Sequence, residues 1–165
     1  RNNEIDIGVL TLPVESHDLE VASIIEEEMV VVMSPSHPLS TRKELSVKDL
    51  DGTPLILFER GSNTRKIIER FIDEQDITAN IVMQMENVEI IKPLVDIGLG
   101  ITIIPYQSIV REIEAGTLHY ARIAGHPLYR KLGLVMLKMN YRPIPLQRIV
   151  TLFKEMIPTL QVLPP

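Results

Sequence analysis

From residue 46 onward, short apolar runs alternate with amphipathic stretches, an order that argues for a doubly wound α/β lobe. Residues 54–58 (PLILF) and 101–104 (ITII) are continuous apolar runs of strand length, the pattern of strands buried on both faces. Residues 79–85 and 118–123 supply two further strands. Helices lie between them. Residues 64–75 place Ile67, Ile68, Phe71 and Ile72 on one face and set Arg65/Glu69 and Arg70/Glu74 at i,i+4 on the other. Asn87 is a natural N-cap for a helix marked by Val88, Ile91, Leu94 and Val95 and closed by Gly98. Pro93 within that helix is predicted to cost one backbone hydrogen bond and to bend it. Pro105 opens another helix that Gly116 ends, and Ser46 to Asp49 resembles a capping box before a short helical turn. Residues 46–123 thus read as a doubly wound α/β lobe.

The flanking segments read differently. Ile5, Ile7 and Val9 alternate with Glu4, Asp6 and Gly8, which is a strand with one apolar face. Residues 19–25 alternate in the same way. Glu26–Glu28 then reads as a solvated stretch, or as an edge that repels unwanted pairing, before the buried strand Met29–Met33. Pro35 and Pro38 stop that strand. Residues 128–139 form a long strand. Leu146, Ile149, Val150, Phe153 and Met156 mark a last helix, with Pro145 in its first turn and Pro158 at its end. The early strands come without a helix long enough to cover a sheet. Either they pair with the α/β lobe or their cover lies upstream of Arg1, and a chain opening on Arg1 reads as a piece of something longer.

Composition narrows the chemistry. A chain of 165 residues buries roughly 70% of its unfolded surface and needs no covalent staple. The absence of cysteine excludes disulfide frameworks, thiolate zinc sites and thiol catalysis, and fits a reducing cytoplasm. Lys and Arg number 17 against 22 Asp and Glu, a net charge of −5 and a poor surface for holding nucleic acid. No apolar run approaches the ~20 residues of a bilayer span. His17, His37, His119 and His126 are scattered, so no metal site is expected. Without a G-x-S-x-G, a Walker A motif or a carboxylate pair with separable environments, no catalytic residue and no cofactor is assigned.

The order of segments resembles the effector-binding domain of LysR-type transcriptional regulators. The resemblance rests on EIDIGVL and then LEVASIIEEEMVVVMSPSHPL, where the family has a "D-x-G" strand and a strand ending in "hPL". It continues in LSVKDLDGTPLILFERGSNTRKIIERFI, in VEIIKPLVDIGLGITIIP and in LYRKLGLVMLK, covering essentially the whole chain. It implies a two-lobed fold like that of type II periplasmic solute-binding proteins, with a small effector in the inter-lobe cleft. The first lobe would be incomplete here: residues 1–34 and 134–165 would be its remainder, residues 35–133 the second lobe, and Met29–Met33 and Leu132–Lys138 the crossovers. It also implies homodimers or homotetramers, and DNA contact only through an N-terminal winged helix-turn-helix absent from this sequence. A stand-alone solute-binding protein and an enzyme on the same fold are the rival readings.

Candidate effector contacts follow from strand-to-helix junctions, where ligands sit in open α/β sheets. Gly61-Ser62-Asn63-Thr64 offers backbone N–H groups, hydroxyls and a positive helix end, which suit a carboxylate or phosphate. A plain N-cap without ligand is the competing explanation. Arg60 and Arg65 could add charge, although each is more often a solvated surface arginine, and Arg65 already has Glu69 at i+4. Asn87 is a second junction, explained equally well as a cap. Gly100 is explained by close backbone packing, and Thr11 is the polar group at the end of the first strand. The expected ligand is a small anion.

Overall fold

The computed structural model describes residues 6–14, 16–139, 141–160 and 163–164. Its axis is β2 (Leu19–Met33), one uninterrupted strand of 15 residues and about 50 Å. Along its first two-thirds β2 pairs antiparallel with β8 (Leu128–Leu137), from Leu19↔Leu137 to Met29↔Leu128. Its last residues pair instead with β6 (Thr102–Pro105) and β7 (His119–Ile123). β1 (Ile7–Thr11) joins β8 antiparallel over Leu132–Met136. On the far side β3 (Glu44–Leu45) lies parallel to β7. β4 (Pro54–Phe58) and β5 (Asn80–Met85) pair in parallel. β4 meets the residue before β6 through Ile56 N–H to Ile101 O and Ile101 N–H to Pro54 O, both 2.8 Å.

Two apolar clusters form around this frame. The larger takes β4, β6 and the end of β2, with Ile68, Phe71 and Ile72 of α1 (Asn63–Glu74) and Ile91 and Val95 of α2 (Val88–Asp96). It is completed by Ile109, Leu118 and the strand residues that follow α3 (Val110–Ala115). The smaller cluster joins Leu134 and Met136 of β8 to Leu146 and Val150 of α4 (Ile144–Leu160). Met29–Met33, placed at a crossover by the resemblance, packs within the larger cluster. The connection between the clusters falls just before it. Glu26–Glu28 face Lys131, Arg130 and Tyr129 in register, where neither β1 nor β6 and β7 flank the pair.

The reading of Glu26–Glu28 as solvated is therefore corrected. Glu27 and Glu28 are buried inside β2, because each meets an arginine. Arg122 grips Glu28 through two hydrogen bonds of 2.7 Å, which hold its guanidinium above the ordinary pKa range. Arg130 donates to Glu27 at 2.6 Å. Only Glu26 stays exposed, 3.7 Å from Lys131.

Other expectations meet local geometry. α2 runs on through Pro93, with Ile97 N–H bonding the Pro93 carbonyl at 3.2 Å, because one missing donor removes a single rung of the ladder. α4 likewise continues past Pro158 to Leu160 instead of stopping there. The Ser46 turn is a 3-10 turn over Val47–Leu50, and the Asp49 carboxylate accepts from Ser46 N–H and Oγ, both at 2.7 Å. Ile5, expected in the first strand, lies outside the described residues.

Candidate functional site

Where β1 ends and α1 begins, the fold leaves a cavity of about 510 Å³. Thr11, Ser62, Asn63 and Thr64 line it together, although some fifty residues separate Thr11 from the others. The local chain dictates this corner. Gly61 turns at φ +99°, a value that L side chains rarely adopt, and Ser62 follows in extended conformation as the N-cap of α1. Ser62 Oγ accepts from Arg65 N–H at 3.1 Å, leaving its own O–H free to donate. Asn63 Nδ2 donates to Thr11 O at 2.7 Å and Pro13 O at 3.3 Å, tying the helix start to the loop after β1. Thr64 is buried, and its Oγ1 accepts from Arg130 Nη1 at 3.2 Å. One arginine thus links Glu27, in the two-stranded connection, to the first turn of α1.

The cavity carries net positive character. Lys66 and Arg70 line it one and two turns into α1, and no carboxylate shares the wall. Neither cation has an ion pair or hydrogen-bonded side-chain partner among the described residues, so the expected Arg70/Glu74 pair does not form. The Arg65/Glu69 pair does form, at 2.8 Å. Arg65 points inward, however, fully buried, and also donates to Phe58 O at 3.0 Å. It braces the strand-to-helix corner and is not available to a ligand, contrary to its reading as added charge.

The other named residues lie outside this cavity. Arg60 and Gly61 are exposed beside it. Asn87 is exposed and caps α2, its Oδ1 accepting from Ile90 N–H at 3.2 Å. Gly100 packs so tightly on β4 that a Cβ there would stand 2.7 Å from Pro54 O. Sequence reasoning missed Lys66 and Arg70 as cavity residues. Their spacing from Asn63, at i+3 and i+7, sets all three on one helix face and was the available signal. Among the described residues, no group of three or more His, Cys, Asp or Glu side chains is arranged to hold a metal, and no helix is long and apolar enough to cross a membrane.

The family described as LysR substrate binding domain matches residues 1–158. The HTH-type transcriptional activator CmpR of Synechocystis is 34% identical over 137 residues, covering 83% of this chain and 45% of that protein. A RuBisCO operon transcriptional regulator of Allochromatium vinosum is 30% identical over 134 residues, covering 81% and 44%. The chain spans about half the length of the curated relatives it matches. Among solved structures, the regulatory domain of Synechocystis CcmR in complex with 2-PG superposes with a TM-score of 0.83 at 22% identity, covering 99% of this chain and 77% of that one. The effector-binding domain of QuiR in complex with shikimate gives 0.79 at 22% identity, covering 94% and 71%. At such identities these two likenesses show a shared fold.

Proposed function

The chain belongs to the LysR substrate-binding domain family, and from that premise we propose that it is the effector-sensing part of a transcription regulator, holding a small anion where β1 meets the N-terminus of α1. The fold is the expected mixed α/β architecture of LysR effector domains, the type II periplasmic-binding-protein-like fold. Its matched relatives are regulators, which favours this reading over a solute carrier or an enzyme. The division into two lobes, taken at the Glu26–Glu28 connection in place of residues 34/35 and kept at 133/134, the cytoplasmic location, assembly into homodimers or tetramers, and DNA contact through a separate N-terminal domain belong to the same proposal.

One observation carries the ligand class: every ionic side chain lining the cavity is a cation without a partner among the described residues. The Ser62 and Thr64 hydroxyls and the first N–H groups of α1 add donors. Shikimate and 2-PG, bound by QuiR and CcmR, are the first ligands to try. Closure of the cleft on such an anion would shift the regulator between two shapes, through the difference in its affinity for each. Calorimetry on the chain carrying Ser62→Ala or Lys66→Ala tests the site. Each change removes one bond to a charged ligand, about 1.5–3 kcal/mol, so affinity should fall at least tenfold with the fold intact. Unchanged affinity in both variants would move the ligand elsewhere.

A further inference from the structure

Along the other flank of α1 the structure holds a larger cavity, of about 730 Å³, with a different character. Leu12, Val21, Phe71 and Leu128 give it apolar walls, and Arg70 and Lys131 reach it from two sides. This combination of a hydrocarbon-lined hollow and a few convergent polar groups is the composition of small-molecule sites. Two further observations mark the hollow as more than a gap between elements. Its apolar end depends on Gly133 of β8, where a Cβ would lie 2.8 Å from Leu12 Cδ2 and 3.1 Å from Val21 Cγ1. The missing side chain lets Leu12 and Val21 settle on the strand. The cations are also poorly satisfied: Arg70 has no ion pair among the described residues, and Lys131 stands 3.7 Å from a half-exposed Glu26. Glu74 is the one acid on the wall, and it does not neutralise Arg70.

We propose that this cavity is a second ligand site, taking an amphipathic acid with an aryl or branched-alkyl body against Leu12, Val21, Phe71 and Leu128 and its carboxylate between Arg70 and Lys131. The first cavity offers hydroxyls, helix N–H groups and cations to a polar anion. The second offers apolar wall to a ligand that the first would hold poorly; Pro13, Val14, Ile67 and Arg70 line both hollows, so the two adjoin and share one cation, but the second does not require the first to be the effector site.

The test uses the full chain with 3-phenylpropionate as probe, followed by amide chemical-shift titration. Saturable shifts are expected at Val21, Phe71 and Tyr129. The neutral analogue 3-phenylpropan-1-ol should bind at least tenfold more weakly, and propionate, lacking the ring, should also bind at least tenfold more weakly. Lys131→Ala, at an exposed position where folding is safe, and Val21→Glu should each weaken phenylpropionate severalfold or more. Ser62→Ala, whose side chain lines only the first cavity, should leave phenylpropionate affinity unchanged while lowering affinity for the first-site anion. If Ser62→Ala weakens phenylpropionate as much as Val21→Glu does, there is one site, not two. If the alcohol binds as tightly as the acid, or the shifts do not saturate, the second site is overturned. Failure of Ser62→Ala to affect shikimate or 2-PG would count against the first site alone.

Discussion

Glu27 shows how much a single residue in this chain depends on distant partners. Its carboxylate and the Arg130 guanidinium are both largely withdrawn from water, with 9% and 16% of their side-chain surfaces exposed. Removing one partner strands the other, whereas replacing both with hydrocarbon removes the desolvation cost along with the attraction. Glu27→Ala should therefore destabilise the chain by about 3 kcal/mol, and the pair Glu27→Leu with Arg130→Met should recover most of that loss in urea denaturation. Loss of the Arg130 bond should also loosen Thr64 at the first cavity. Glu26–Lys131, exposed on both sides, should be worth no more than about 0.5 kcal/mol. This residue-level pattern was not legible in the sequence. The arginines that bury Glu27 and Glu28 lie 103 and 94 positions away, so a local reading sees only three adjacent acids. Arg65 was misread for the same reason, since its inward turn toward Phe58 O is set by tertiary packing. Ser62, Asn63 and Thr64 were legible because a helix N-terminus announces itself within four residues.

Elements were read from their periods, and those periods are local. α1 and α2 follow the 3.6-residue spacing of their apolar positions, and β4 and β6 follow their unbroken apolar runs. The two-residue β3 carries too few positions for any period, and β2 breaks its alternation at the three glutamates while remaining one strand. Gly100 joins two elements. It lets the chain entering β6 lie against Pro54 at the start of β4, where Ile101 N–H bonds the Pro54 carbonyl. Gly100→Ala should force that carbonyl aside and cost about 1–3 kcal/mol in thermal or urea melting. Gly8 in β1 has open space where a Cβ would stand, so Gly8→Ala should stay within about 0.5 kcal/mol. Equal losses at both positions would mean that the β4–β6 contact is not what Gly100 serves.

For the molecule as a whole, the two clusters are unequal. Among the described residues, 25 buried apolar side chains fill the larger and four the smaller. Local opening follows the thinner packing, so β1 and α4 should exchange their amide hydrogens at least about tenfold faster than β4, β6 and the end of β2. Uniform protection across both clusters would show that they open as one unit. The long strand that runs through both clusters carries a further consequence, in the order of synthesis. The first half of β2 leaves the ribosome roughly 100 residues before β8, and at about 5–20 residues per second its partner follows some 5–20 s later. Through that interval Val21, Ile24 and Ile25 wait on an unfinished edge, with the larger cluster already closing downstream. The three glutamates that later lace the strands together would, while the chain is still growing, be the charges that oppose recruitment of another nascent chain to this edge.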